Sequence, residues 1–168
     1  MPAKQQPSPR PSSAFLTLDP EREGKQSGFL MIPHSPHDDA WGATRVPIAV
    51  IKNGSGPTAI LEAGNHGDEY EGQITICDMI RDLDPGRVQG RLILMPANNV
   101  HAVIAGKRTS PVDGLNFNRT FPGDPRGTIT QRGDLSAATL RTAAADLAGV
   151  AFPGQRGASV RGERGLLW

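Results

Sequence analysis

The chain has 168 residues, about the length of one domain, with 37% hydrophobic residues, 20 glycines, 15 prolines and a formal net charge of +1. This composition is typical of a globular protein with many loops. It lacks the basic, aromatic-interleaved stripe of a nucleic-acid-binding surface, and no apolar run approaches the roughly 20 residues of a membrane span. The single cysteine, Cys77, excludes an intrachain disulfide and fits a cytoplasmic location.

Residues 1–27 are predicted to form a disordered or loosely ordered leader. The first part of this segment is rich in Pro, Ser and Gln and has no apolar stretch of the kind found in secretory signals. After it, residues 28–32 are predicted to form a short strand. A β-branched run at residues 46–51 predicts a second strand, which ends before the turn-forming residues 53–57.

A strand–helix–strand unit is predicted between residues 58 and 96. The nearly continuous apolar run at residues 58–63 is typical of a strand that is buried on both faces. Apolar residues at helical spacing predict a helix between residues 68 and 83, with Cys77 on its buried side. Residues 90–96 form a further strand. The fold class is therefore α/β, with a mixed, largely parallel sheet flanked by helices, and residues 97–125 form a mostly irregular loop.

Two potential metal ligands, His66 and Glu69, lie where strand 58–63 leads into the helix. Imidazole and carboxylate groups are zinc ligands, and three residues of separation at such a turn allow both to reach one ion. Open α/β sheets place their ligands at this end of the strands. Taken alone, such a pair is common by chance, and the alternative interpretation is a surface histidine beside a helix-capping carboxylate.

The loop after the next strand carries Arg108, Asn118 and Arg119. Two guanidinium groups and an amide can bind an anion such as a substrate carboxylate. An arginine close to a metal can also stabilise the oxyanion that forms when a carbonyl is attacked. The alternative interpretation is a set of three solvated loop residues.

Two segments resemble a known enzyme family. Residues 64–72 (Gly-Asn-His-Gly-Asp-Glu-Tyr-Glu-Gly) and 108–123 (Arg-Thr-Ser-Pro-Val-Asp-Gly-Leu-Asn-Phe-Asn-Arg-Thr-Phe-Pro-Gly) closely resemble the succinylglutamate desuccinylase/aspartoacylase family. The resemblance implies a zinc hydrolase with a carboxypeptidase-like α/β fold. Within the family, the segments are most similar to the Nα-acetyl-L-2,4-diaminobutyrate deacetylases of ectoine degradation. The likeness covers residues 28–131, which we interpret as the N-terminal part of a catalytic domain.

The resemblance also implies roles for the candidate residues. His66 and Glu69 match two zinc ligands, Arg108 matches the arginine that polarises the scissile carbonyl, and Asn118 with Arg119 matches the pair that binds the substrate carboxylate. The implied function is a zinc-dependent deacylase that hydrolyses the amide bond of a small-molecule N-acyl amino acid. Neither nucleic acid nor membrane is an expected partner. A peptide metallocarboxypeptidase is the less favoured neighbour.

The sequence departs from this family pattern towards its C-terminus. The pattern requires a third histidine ligand and a glutamate base, but no histidine follows His101, which we expect to pack or face solvent. The sole glutamate after Glu71 is Glu163, in a segment unlike the family. Residues 132–168 form an atypical Ala/Gly/Arg-rich tail, which we interpret as the product of a frameshifted or truncated gene model; the alternative is a genuine but divergent tail. The alternative function is therefore an inert fragment that at most binds an anion.

Overall fold

The structure is a computed structural model that describes residues 13–35, 42–134 and 140, and the backbone of residues 159–160. Six strands form one sheet in the order β1-β2-β3-β5-β4-β6. The elements are β1 (Phe15–Leu16), β2 (Gly24–His34), β3 (Gly42–Asn53), β4 (Thr58–Glu62), α1 (Tyr70–Asp82), β5 (Gly90–Met95), α2 (Val100–Ala105) and β6 (Ser159–Val160).

The sheet is mixed, as the sequence predicts, but less parallel than expected. In the described part of the chain only β4 and β5 pair in parallel, whereas the other neighbouring strands are antiparallel. The parallel pair belongs to the predicted strand–helix–strand unit, because a crossover helix connects parallel neighbours. Most of the antiparallel pairing is between β2 and β3, which pair over eleven residues each. Both strands are much longer than the two short strands predicted there.

Both faces of the central strands are buried. One face of the sheet packs under α1, whose buried residue Ile76 joins Ile51 and Leu94 in one apolar cluster. The opposite face holds a second cluster that includes Val50 and Ile93. Alternation of side chains across the sheet sends neighbouring residues to the two clusters. This two-sided burial explains the continuous apolar runs of β4 and β5.

Helix α1 confirms the helix predicted between residues 68 and 83. The prediction that Cys77 lies on its buried side is wrong. Cys77 is exposed rather than buried. Its neighbour Ile76 occupies the buried face, and successive residues of a helix point about 100° apart. Lys25 of β2 fixes the far end of α1, because its Nζ donates to the carbonyls of Ile80 at 2.9 Å and Arg81 at 3.2 Å.

Helix α2 was not expected within the segment predicted to be irregular. Its start is capped by Asn99, whose side-chain oxygen accepts from the amide of Ala102 at 3.3 Å. It ends at Gly106, which has φ +58°. Only six residues long, it offers too short an apolar period to be recognised in the sequence. None of the helices in the described residues is long and apolar enough to cross a bilayer.

Part of the predicted leader is ordered. Residues 13–27 contain β1 and the start of β2. Thr17 continues the pairing beyond β1, because its amide donates to Phe29 O at 2.9 Å and its Oγ1 accepts from Phe29 N at 2.8 Å. The rest of the predicted leader, and the tail apart from residues 132–134, 140 and 159–160, lie outside the described residues.

Candidate functional site

Backbone hydrogen bonds hold the turn after β4 against the turn after β5. The amide of Asn98 donates to Ala63 O and the amide of Asn99 donates to Gly64 O, both at 2.9 Å. These bonds continue the parallel pairing of β4 and β5 past the ends of the two strands. The polar residues that follow each strand are therefore brought together at one edge of the sheet.

Gly67 allows this turn to lie directly on α2. A Cβ atom at this position would lie 1.9 Å from Ala102 O, so no larger residue fits. The amide of Gly67 donates to Lys107 O at 2.8 Å. The contact places His66 beside the stretch of chain that leads into Arg108.

His66 and Glu69 face each other across this turn. His66 Nδ1 lies 2.9 Å from Glu69 Oε1, and the histidine is only 5% exposed. Glu69 occupies the N-cap position of α1, but its side chain makes no capping hydrogen bond. The pair is therefore not a surface histidine beside a helix-capping carboxylate. Its carboxylate is directed at the imidazole instead.

Arg108 completes a small charged cluster with this pair. Its Nη1 donates to Glu69 Oε1 at 3.1 Å, and both side chains are largely exposed. Burial raises the pKa of the Glu69 carboxyl, but hydrogen bonds and charges from His66 and Arg108 outweigh it and leave the pKa below its ordinary value. The carboxylate is therefore ionised at neutral pH and can bind a cation.

The other nitrogen of His66 faces two asparagines. Its Nε2 lies 3.1 Å from Asn116 Oδ1 and 3.4 Å from Asn118 Nδ2. Asn118 lies in the 3-10 turn Phe117–Arg119, which follows Asn116 directly. Arg119, the last residue of that turn, is exposed. Its backbone amide donates to Asn116 O at 2.9 Å, but no side-chain hydrogen bond within the described residues ties it to the cluster. Four of the five candidate residues thus meet directly, and Arg119 lies next to them.

A chain of partly or fully buried polar side chains extends behind the cluster. Asn65 Nδ2 donates to Asn118 Oδ1 at 2.9 Å. Asn98 Nδ2 in turn lies 3.1 Å from both Asn65 Oδ1 and Glu62 Oε1. Glu62 and Asn98 are each 4% exposed. The sequence analysis missed these residues and Asn116. The signal that could have revealed them is a polar side chain at or just beyond the end of a buried apolar strand.

The loop that carries Asn118 is anchored by Asp113. The carboxylate accepts from Thr130 N at 3.0 Å, from Thr130 Oγ1 at 2.8 Å and from Leu115 N at 3.2 Å. Burial raises the pKa of the Asp113 carboxyl. Hydrogen bonds from Thr128, Thr130 and Leu115 lower it by more than this, so the pKa lies below its ordinary value. The loop therefore has a defined conformation in which Asn116 and Asn118 are held against His66.

His101 belongs to a separate small pocket. Its Nε2 lies 2.9 Å from Thr44 Oγ1. Burial, and then the nearby charge of His34, lower the pKa of His101, against an opposing effect of Asp113. The residue is half-buried and packs, which is one of the two alternatives left open by the sequence. The pocket is lined by Ile32, Thr44, Val46, Asn98, Asn99, Val100, His101, Phe117, Ile129, Thr130 and Gly133.

The donor set at His66 and Glu69 has the chemistry of a partial zinc site. One imidazole nitrogen and one carboxylate oxygen within 2.9 Å of each other are ligands that zinc accepts. Within residues 13–35 and 42–134, no group of three His, Cys, Asp or Glu side chains is placed to hold a metal ion. The described residues therefore fit two positions of a tetrahedral shell.

Comparison with known proteins identifies a family and a relative whose sequences match this chain. The succinylglutamate desuccinylase/aspartoacylase catalytic domain family matches residues 55–156. This match continues past residue 131, where the resemblance of the two motifs was expected to end. An N-alpha-acetyl-L-2,4-diaminobutyric acid deacetylase of Halomonas elongata is 49% identical over 130 residues, which are 77% of this chain and 38% of the relative.

Two solved structures show the same likeness in three dimensions. The ectoine utilization protein EutE (DoeB) of Ruegeria pomeroyi has a TM-score of 0.72 and 46% identity, covering 74% of this chain and 38% of its own. A succinylglutamate desuccinylase/aspartoacylase of Rhodobacter sphaeroides has a TM-score of 0.75 and 47% identity, and the match covers 80% of this chain and 42% of the Rhodobacter chain. This chain thus spans about two-fifths of the length of these relatives.

Proposed function

The chain belongs to the succinylglutamate desuccinylase/aspartoacylase family, and on this basis we propose that it contributes the N-terminal part of a zinc-dependent deacylase. The reaction is hydrolysis of the amide bond of an N-acyl amino acid. The name of the Halomonas relative favours Nα-acetyl-L-2,4-diaminobutyrate as the substrate, with acetate and the free amino acid as products.

The contact between His66 and Glu69 is the observation that carries this proposal. A buried imidazole and an ionised carboxylate lie 2.9 Å apart at the carboxyl end of a strand. We assign both as ligands of zinc. When bound, zinc supplies a Lewis acid that polarises the substrate carbonyl and makes water a better nucleophile.

The remaining candidate residues have roles that follow from their charges. Arg108 hydrogen-bonds the same carboxylate at 3.1 Å, so its guanidinium lies beside the proposed metal position and can donate to the oxyanion of the tetrahedral intermediate. Asn118 and Arg119 lie in one turn and provide an amide and a guanidinium donor for the substrate carboxylate. This clamp selects N-acyl amino acids over neutral amides.

A second candidate function is binding of an anion without catalysis. It is favoured by the donor count, because two zinc ligands occur in the described residues where a catalytic site uses three. Arg108, Asn118 and Arg119 would then bind a small carboxylate in the absence of a metal.

Zinc analysis combined with an acetate-release assay tests the proposal. The chain is purified without chelator, and its zinc content and its turnover of Nα-acetyl-diaminobutyrate and of the Nα-succinyl analogue are measured. We expect stoichiometric zinc, preference for the acetyl substrate, and loss of zinc in His66→Ala. His101→Ala is the matched control, because His101 bonds Thr44 rather than the cluster. A zinc-free chain that still binds acetylated amino acids would contradict the proposal and support the second candidate.

A further inference from the structure

Two neighbouring asparagines each leave one buried polar atom without a partner. Asn98 and Asn99 are both 4% exposed, and both line the pocket that contains His101. Within the part of the chain that the structure describes, no hydrogen bond reaches Asn98 Oδ1 or Asn99 Nδ2. A buried polar atom without a partner lowers stability, because it has lost its hydrogen bonds to water. The position of both residues at one pocket therefore indicates a ligand that binds there.

The other contacts of each asparagine identify the unpartnered atom. The two ends of an asparagine amide are assigned from their neighbours. Glu62 Oε1 and Asn65 Oδ1 each lie 3.1 Å from the side-chain nitrogen of Asn98, so the atom left over is an acceptor. The amide of Ala102 donates to Asn99 Oδ1 at 3.3 Å, so the atom left over there is a donor. The two asparagines thus offer a ligand one acceptor and one donor.

We propose that this pocket is a binding site for one water molecule, which donates to Asn98 Oδ1 and accepts from Asn99 Nδ2. Water can pair with both atoms, whereas a bare cation or anion pairs with only one of them. A neutral ligand also fits the lining, because no Asp, Glu, Lys or Arg of the described residues lines the pocket. The inference does not rest on the proposed function, since it involves neither the metal ligands nor the residues assigned to the substrate.

The size of the pocket restricts the ligand to water. The cavity volume is about 10 Å³. A single water requires roughly 10–15 Å³, so an organic ligand with several non-hydrogen atoms does not fit. Buried waters make about three hydrogen bonds on average. Thr44 and His101, whose Oγ1 and Nε2 atoms lie 2.9 Å apart, provide further polar groups in the lining.

The proposed water connects α2 with the end of β4. Asn99 is the N-cap of α2, and Asn98 Nδ2 contacts Glu62, the last residue of β4. Asn98 also contacts Asn65, whose Nδ2 donates to Asn118 Oδ1. The water therefore joins the start of α2 to the chain of polar side chains behind the cluster.

A high-resolution crystal structure of the full chain tests the inference directly. We expect one fully occupied water, about 2.7–3.2 Å from both Asn98 Oδ1 and Asn99 Nδ2. Asn99→Asp keeps the capping oxygen and replaces the donor by an acceptor. The water should remain in this variant, because it can donate to both oxygens, whereas an anion such as chloride would be expelled. A pocket without a water in contact with both atoms, or a bound group that is lost in Asn99→Asp, would overturn the inference.

Nuclear Overhauser measurements test for the same water in solution. A water that stays buried longer than the protein takes to tumble gives cross-peaks of opposite sign in NOE and ROE spectra, which surface water and hydrogen exchange do not. We expect this pattern for the side-chain amide of Asn99, whose signals are assigned by their loss in Asn99→Asp. Asn53 is the matched control, because its side chain is exposed and its Nδ2 donates to Val88 O at 2.9 Å. Water cross-peaks of Asn99 that have the same signs as those of Asn53 would overturn the inference, whether or not the chain binds zinc.

Discussion

Gly67 is the residue whose size most restricts the site. Its hypothetical Cβ would meet Ala102 O at 1.9 Å, and the obstacle is backbone rather than a flexible side chain. We expect Gly67→Ala to lower the free energy of unfolding by at least about 2 kcal/mol, because either the turn or α2 must move. Gly86→Ala is the control, since its nearest contact is a side-chain atom of Asp84 at 3.4 Å. Urea denaturation compares the two, and equal stabilities would show that the turn is adaptable.

Asp113 gives the loop a defined pH dependence. Its folded pKa is depressed, since hydrogen bonds outweigh the opposing effect of burial. The stabilisation is thus fully present above the unfolded pKa of about 3.9 and is lost as the pH falls through the lower folded value. We expect Asp113→Asn to cost about 1–3 kcal/mol at pH 7 and less in acid, so the two stability curves converge below about pH 4.

A matched substitution separates this effect from general acid sensitivity. Asp124 lies in an exposed turn and accepts from Arg126 N at 2.8 Å. Asp124→Asn should therefore change the free energy of unfolding by less than Asp113→Asn at pH 7. A difference between Asp113→Asn and the original chain that persists undiminished at pH 3 would contradict the role assigned to the ionised carboxylate.

At the scale of elements, the ends of β4 and β5 bring Glu62 and Asn98 into buried contact. Their side chains are each 4% exposed and joined at 3.1 Å. Asn98→Asp would place a second carboxylate against the first in a site that water barely reaches. We expect it to cost about 3–5 kcal/mol in urea denaturation at pH 7, as for other uncompensated buried charges.

The neighbouring residue provides a control with the same chemical change. Asn99 is also 4% exposed, but its side-chain oxygen caps α2 and its Nδ2 has no hydrogen-bond partner among the residues that the structure describes. Aspartate is equally suitable as an N-cap, so Asn99→Asp should cost less than Asn98→Asp. If the two variants were equally destabilised, burial alone would explain the loss, without the contact to Glu62.

The elements that the sequence predicts well are those with long apolar runs. β4, α1 and β5 each bury enough apolar surface to show a clear period or a continuous run, so their bounds fall within two residues of the prediction. β2 and β3 extend beyond their predicted runs, because pairing between backbones continues where the side chains become polar. Helix α2 depends on its caps at Asn99 and Gly106 rather than on a period.

In the candidate site, too, some features can be predicted from local patterns of residues and others cannot. The contact between His66 and Glu69 follows from their three-residue separation at a strand end. The position of Arg108 beside them follows from the hydrogen bonds between the turns after β4 and β5. The positions of the polar residues at the strand ends can be read from the sequence, but the contacts that Asn116 and the amides behind the cluster make depend on side-chain directions that no local pattern of residues encodes. Their importance becomes visible only when the loop folds back onto β4.

At the scale of the whole molecule, the site lies where separate parts of the chain meet. The turn after β4, the segment after α2 and the loop anchored by Asp113 all contribute to it. A ligand that binds this arrangement and not the unfolded chain raises the free energy of unfolding by mass action. Metal binding at His66 and Glu69 should therefore stabilise the entire fold rather than one loop.

Thermal unfolding with and without zinc measures this coupling. At a zinc concentration of about 100 times Kd, we expect a gain of about 2.7 kcal/mol over the chelator-treated chain, because one site binds the native state alone. His66→Ala should unfold at the same temperature in zinc and in chelator, whereas His101→Ala should keep the zinc-dependent rise. The comparison is made within each variant, so any loss of stability from the substitution itself cancels. A rise that survives in His66→Ala would place the stabilising zinc elsewhere in the chain.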